Sequence, residues 1–390
     1  MTSPPAELLS SDSLARFRRS LLAWYDAHHR TMPWRVSPGA EAGRPEPYPI
    51  LVAETMLQQT QVATVIPYFQ RFIERFPTVA ALASAEEQEV LRLWQGLGYY
   101  RRARNLHAAA KRIVDEFGGT VPGEVEKLLE LPGVGRYTAG AVASIAFGRR
   151  APIVDGNVAR VLARLLAIEE PVDKAAVRRR LWEVAEAVVP GDRPGDFNQA
   201  MMELGSQICT PQGPTCPRCP VAEQCLARQD GKEEEIPAMS PRKQPKAVTH
   251  VVAAVERRGR WLFEQRPEAG LWANLWQMPT WEWDQPAEVD EQAVAAWLSE
   301  RTGLKVEPAG REEPFVHQTT HRRITFELTR WRVTGGRLRT GAGAWRPLRS
   351  LGDLPLSNPQ RRVVGVVEAR APGIVSFKPR QAQRCRRSGK

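Results

Sequence analysis

The run Leu131-Pro132-Gly133-Val134-Gly135-Arg136-Tyr137-Thr138 limits how this chain can fold more than any other stretch. Its Pro-Gly and second Gly split two runs of helical pattern, residues 123–131 and 136–147, which predicts a helix-hairpin-helix. The two glycines let the backbone approach a ligand with no side chain between, and the second helix opens with unpaired N–H groups that suit a phosphate. Gly133, Val134 and Gly135 are therefore expected to grip a nucleic-acid backbone. After that helix, Val154-Asp155-Gly156-Asn157 sets a carboxylate at the mouth of the next helix, residues 158–167, within reach of whatever the hairpin holds. Asp155 is the candidate for chemistry on DNA. Each feature has a plainer alternative: Pro-Gly turns join helices in many all-α proteins, and an Asp before a helix commonly only caps it.

A chain of 390 residues has room for two or three domains with cores of their own. Its formal charge of +11 favours a polyanionic partner, and no basic amphipathic anchor argues for a membrane instead. Much of the excess sits in an acid-free tail carrying Lys378, Arg380, Arg384, Arg386, Arg387 and Lys390, so the body is only mildly basic. No stretch approaches the roughly 18 apolar residues of a membrane span, so a soluble intracellular protein is expected.

Taken in order, residues 1–13 read as a flexible terminus and 14–29 as a helix. Helical pattern recurs at 50–61, 66–75, 85–95, 101–117, 174–188 and 197–208. In the first of these Glu54 lies four residues after Ile50 and three before Leu57, a carboxyl in an apolar stripe. Burial there would keep it protonated near neutral pH, ready to donate; a partly exposed Glu with apolar neighbours is the plain alternative. The loop Gly96-Leu97-Gly98-Tyr99-Tyr100, flanked by Arg101, Arg102 and Arg104, suits wedging into stacked bases, or else a packed core turn.

Cys209, Cys216, Cys219 and Cys225 follow with spacing C-x6-C-x2-C-x5-C. Such crowding fits a metal centre better than a disulfide framework, and a single C-x2-C knuckle leans towards a 4Fe–4S cluster over zinc. The charged, Pro-dotted stretch 228–247 reads as a linker between a helical domain, 14–227, and an α+β domain, 248–370, with a basic disordered tail over 371–390.

With these motifs in view, the chain resembles the MutY-type adenine DNA glycosylases of the helix-hairpin-helix superfamily, which includes endonuclease III. The resemblance rests on Pro33-Trp34-Arg35, the Glu54 to Gln61 run, Gly96 to Tyr100, the hairpin, Val154 to Asn157 and the cysteine spacing, which is the superfamily's iron–sulfur spacing. It implies an all-α two-lobed catalytic domain with a 4Fe–4S cluster on the four cysteines. It further implies that a monomer in the bacterial cytoplasm, at the nucleoid, removes adenine mispaired with 8-oxoguanine in double-stranded DNA. Glu54 would then be the general acid and ionised Asp155 the stabiliser of the sugar cation. Tyr137 and Asn157 would lie beside the sugar, Arg30, Trp34 and Gln199 around the adenine, and Gln59 and Tyr99 at the lesion side.

The C-terminal region resembles the family's Nudix-like domain through Gly270 to Pro279, but residues 293–301 lack the paired acids that hold Mg²⁺. Recognition without hydrolysis is expected there. The family's Phe-Ser-His reading loop stands as Thr319-Thr320-His321, which makes Thr320 and His321 the candidate readers of the lesion. An endonuclease III-like glycosylase/lyase is the nearest rival; it carries a nucleophilic Lys where this chain has Tyr137.

Overall fold

The computed structural model describes residues 10–37, 43–241, 244–348 and 354–370. The chain divides into two units, 1–243 and 244–390. The expected basic tail lies outside the described residues, as do residues 1–9 of the expected flexible terminus.

Unit 1 is helical: α1 (Ser11–His28), α2 (Pro47–Leu57), α3 (Val62–Arg75), α4 (Val79–Ala83), α5 (Glu87–Trp94), α6 (Arg101–Phe117), α7 (Val125–Leu129), α8 (Arg136–Ile145), α9 (Gly156–Leu165), α10 (Ala175–Val188), α11 (Pro194–Gln207) and α12 (Leu226–Gln229). Two of these form its centre. α2 is apolar nearly all round, buries Tyr48 to Met56 save Pro49, and starts with Pro in its first turn; α8 buries every residue from Thr138 to Ile145. Helices with no polar face belong in the middle of a bundle, and α2 packs on α3, α6 and α8.

Three expectations are corrected. α1 begins at Ser11, inside the stretch read as flexible, because the Gln224 amide donates to the carbonyl and hydroxyl of Ser13. The helix expected over 50–61 stops at Leu57, since Gln59 turns into the left-handed region at φ 57°. The stretch read as a linker is largely bound to unit 1: Ile236 is buried and its carbonyl accepts from Arg164, Ala238 accepts from Val172 N–H, and Lys232 pairs with Glu169. Its charges suggested solvent, but Lys232 and Glu234 find partners on the helical unit.

Unit 2 holds β1 (Lys246–Arg257), β2 (Arg260–Gln265), β3 (Trp276–Gln277), β4 (Thr280–Trp283), α13 (Glu291–Thr302), β5 (Leu304–Arg311), β6 (Phe315–Gln318), β7 (Arg322–Gly336), β8 (Ala344–Arg346) and α14 (Asn358–Arg370). The strand order is β3-β2-β1-β7-β5, with β4 on β1, β6 on β7 and β8 on β2; β1 and β7 run parallel. β1 is buried on both faces, as an interior strand must be. Val251, Ala253 and Val255 pack with Val294 and Leu298 of α13, while Val248, Val252 and Ala254 pack with Val363 and Val367 of α14. Helices thus cover both sides of the sheet. Among the described residues no helix is long and apolar enough to cross a membrane.

Candidate active site and cysteine centre

Four helices of unit 1 bring the candidate catalytic groups together. Glu54, mid-way along α2, is 4 % exposed, and the Tyr137 hydroxyl of α8 donates to its Oε2 at 2.6 Å. The same hydroxyl lies 3.1 Å from the Met202 sulfur on α11. Burial pushes the Glu54 carboxyl up; the Tyr137 hydrogen bond and Arg35 oppose this, and the charge of Asp155 adds to it. Burial beside the two carboxylates also raises the Tyr137 phenol well above its ordinary range, so it stays a neutral donor.

Asp155 caps α9: its Oδ1 accepts from Val158 N–H at 2.7 Å and its Oδ2 from the Asn157 amide at 3.0 Å. The plain capping role is therefore real, and it also aims the carboxylate. Burial pushes this carboxyl up as well, against the cap bond, the Asn157 amide and Arg160, all of which favour ionisation. Glu54 differs in lacking a backbone donor: desolvation is opposed there by one phenol and a distant cation. Arg160, which the sequence reading passed over, accounts for part of this geometry. It donates to Asn157 Oδ1 at 2.9 Å, to the Cys209 carbonyl at 2.7 Å and to the Gly205 carbonyl at 2.7 Å. Position 205 must be glycine, because a Cβ there would come within 2.6 Å of the Asn157 Cβ.

Arg30 donates to Glu203 at 2.7 Å and to Ser206, and Arg35 donates to the other Glu203 oxygen at 2.6 Å. Glu203 on α11 is fully buried, which requires such partners. Glu203 was not singled out from the sequence, where the available signal was an acid one helical turn after Gln199, and Arg35 entered only as part of the Pro33-Trp34-Arg35 motif, with no role given to it. Trp34 is buried edge-on against Phe69 at 5.1 Å. Gln199 opens onto a cleft with Ser37, Arg44, Ser144 and Asp196, which neither Glu54 nor Asp155 lines.

Gln59 and Tyr99 sit on the loops after α2 and before α6, each with a left-handed backbone, and Tyr99 is 51 % exposed. The hairpin brings Gly133 (φ 77°) against α6, where a Cβ would come within 2.5 Å of Asn105, and leaves Gly133 and Gly135 exposed with Val134 buried. A side chain at 133 would fail on both counts.

Cys209, Cys216, Cys219 and Cys225 line one cavity beside Arg164, whose guanidinium lies 3.2 Å from the Cys209 sulfur. Burial pushes the Cys219 thiol up to about 12 and raises Cys216 and Cys225. Thiols in such a place become thiolates only with positive charge in the cavity. Among the described residues, no three His, Cys, Asp or Glu gather as for a single metal ion. The four thiols line one cavity, and four thiol donors are a set that fits an iron–sulfur cluster.

In unit 2, Thr320 and His321 are exposed at the turn joining β6 to β7, while the Thr319 hydroxyl is spent inside that turn, accepting from Arg322 N–H at 3.1 Å. On α13, Trp297 stacks on Trp281 at 5.5 Å and Arg301 donates to the buried Glu264 at 2.8 Å.

Comparison with known proteins gives these features a family. Residues 52–187 match the model of the HhH-GPD superfamily base excision DNA repair proteins, and residues 250–365 that of the NUDIX domain. The human protein named adenine DNA glycosylase is 39 % identical over 360 residues, covering 80 % of this chain and 66 % of its own length. The rat protein of that name is 38 % identical, with 80 % and 69 % covered, and the one from Schizosaccharomyces pombe 34 %, with 80 % and 81 %. The helix-hairpin-helix unit, the Nudix-like unit and this likeness along most of the chain together mean that the chain belongs to the adenine DNA glycosylase family.

Proposed function

We propose that this chain is a monofunctional DNA glycosylase that hydrolyses the glycosidic bond of adenine mispaired with 8-oxoguanine or guanine. The observation that carries the reading is the carboxyl pair. Glu54 is buried and held towards its protonated form, while Asp155 is held by donors that favour its ionised form. Burial raises both carboxyls, but Asp155 has a backbone N–H, the Asn157 amide and Arg160 to favour its ionised form where Glu54 has the Tyr137 phenol and Arg35, and this difference in surroundings suits an acid paired with a charge stabiliser.

The adenine must leave the duplex for these groups to reach it, as glycosylases require. Gln59 and Tyr99 are placed on exposed loops suited to opening the stack, and the hairpin amides at Gly133, Val134 and Gly135 suit the backbone phosphate. Glu54 then gives its proton to adenine N7, and the C1′–N9 bond breaks with its electron pair going to the base. Asp155 faces the cation left on the sugar, Asn157 and Tyr137 border it, and water adds at C1′, releasing a proton that returns Glu54 to its acid form. Arg30, Trp34 and Gln199 are assigned to the base side. Tyr137 cannot form an imine with the sugar, so no strand cleavage follows.

The four cysteines, all between α11 and α12, would hold a 4Fe–4S cluster, which when bound would tie that loop together. Thr320 and His321 would read the 8-oxoguanine. The face of α13 bearing Trp297 and Arg301 is filled by an aromatic stack and an ion pair, which supports recognition over metal-dependent hydrolysis.

The test is base release from duplexes carrying adenine opposite 8-oxoguanine. The unsubstituted protein should leave an intact abasic strand and give no adduct with borohydride. Glu54→Gln should bind the duplex nearly as well yet lose activity by about a thousandfold or more, since the lost proton acts only in the transition state. Near-normal release by Glu54→Gln would overturn the assignment.

A further inference from the structure

We propose that Arg102, on the first turn of α6, is a positioning residue that sets the two loops bearing Gln59 and Tyr99 in the register needed to open a base pair. The proposal rests on the reading above, in which those two residues do the opening. Arg102 is only 8 % exposed, and a ring of carbonyl oxygens holds its charge. One terminal nitrogen donates to the carbonyls of Thr55 at 3.1 Å, Met56 at 2.8 Å and Gln58; the other donates to Leu97 and Gly98, both at 3.3 Å, and to the Thr60 hydroxyl at 3.2 Å.

The choice of carbonyls is informative. The Gln58 and Gly98 carbonyls belong to the peptide groups immediately before Gln59 and Tyr99, which adopt φ values of 57° and 48°. A non-glycine residue keeps such a backbone only where its surroundings impose it. Here one guanidinium clamps both peptides, so it fixes both strained turns and the gap between them. A planar fork can do this for two loops at once, whereas an ammonium acts from a single point. The guanidinium also lies 5.4 Å from the Tyr99 ring, against the side chain that would enter the stack. Thr55 and Met56 contribute carbonyls left over at the end of α2, where a cation is favoured.

If Arg102 acts through the opening step, its loss should hurt only where a pair must be opened. Adenine release by Arg102→Lys is to be measured in single turnover on two duplexes, one with adenine opposite 8-oxoguanine and one with adenine opposite a tetrahydrofuran abasic analogue. Release from the first should slow by about tenfold or more and from the second by about twofold at most, with the pH profile unchanged. In a Gln59→Ala/Tyr99→Ala background the same substitution should add little further loss. Equal slowing on both duplexes, no slowing on either, additive loss in that background, or collapse of the fold on thermal unfolding would each overturn the proposal. Failure of the unsubstituted protein to release adenine from both duplexes would instead overturn the functional reading, and the inference with it.

Discussion

At the scale of single residues, the proposed chemistry depends on Glu54 keeping a proton that Tyr137 tends to remove. The phenol donates to the carboxyl at 2.6 Å, and that bond favours the ionised form against desolvation. The consequence for pH has a definite sign. The acid must be protonated, so the single-turnover rate falls as pH rises through the raised Glu54 value. Asp155 must be ionised, so the rate also falls as pH drops through its own raised value, and the profile is bell-shaped. Tyr137→Phe deletes the bond that lowers Glu54 and should move the alkaline limb to higher pH, with the rate at the optimum down by about tenfold. An alkaline limb that stays put or moves down would show that the phenol does not govern the acid's proton.

Elements differ in how plainly the sequence announces them, and the differences have physical causes. The hairpin was legible because Pro and Gly act locally: the φ of 77° at Gly133 needs no distant partner to be foreseen. Helical period set Glu54 in an apolar stripe but left burial and partial exposure both open, and the packing around α2 decides for burial. The early end of α2 was not legible, because the carbonyls that would have continued it are taken by Arg102, whose place on α6 no local pattern reveals. Glu203 was likewise hidden, since its partners Arg30 and Arg35 stand at the far end of the unit in sequence. In unit 2 no local pattern marked His250 as a buried group. This ring packs between Phe326 at 5.3 Å and Trp272 at 6.3 Å, its Nδ1 finds no partner, and burial pulls it down to about 4. An unfolded His takes its proton near the ordinary value of 6.5, so unit 2 should lose stability as pH falls from there to about 4. The loss tends towards roughly 3 kcal/mol. Tryptophan fluorescence of urea unfolding across that range should show it, and His250→Asn should flatten the slope; an unchanged slope would assign the acid sensitivity elsewhere.

At the scale of the whole molecule, the proposed chemistry and the proposed reading of the lesion lie on separate units. Glu54, Asp155, Tyr137 and the four cysteines all precede residue 243, while Thr320 and His321 lie beyond it. The place to separate them follows from the packing. A cut just before Ile236 would strip Ile236 and Ala238 from unit 1, removing a buried side chain and one acceptor of the Arg164 guanidinium that neighbours Cys209. A cut after Lys243 leaves those contacts intact. The fragment of residues 1–243 should therefore fold with its cysteine centre, seen as absorbance near 400 nm, and should release adenine opposite guanine at close to the full-length rate. Its preference for adenine opposite 8-oxoguanine should fall by about tenfold, because the two contacts assigned to the lesion are gone. The same loss should appear in the intact chain carrying Thr320→Ala and His321→Ala, at unchanged stability, since both side chains are exposed at a turn. Should the fragment and the double variant both keep the full preference, discrimination must come from unit 1, and Gln59 and Tyr99 would be the residues to substitute next.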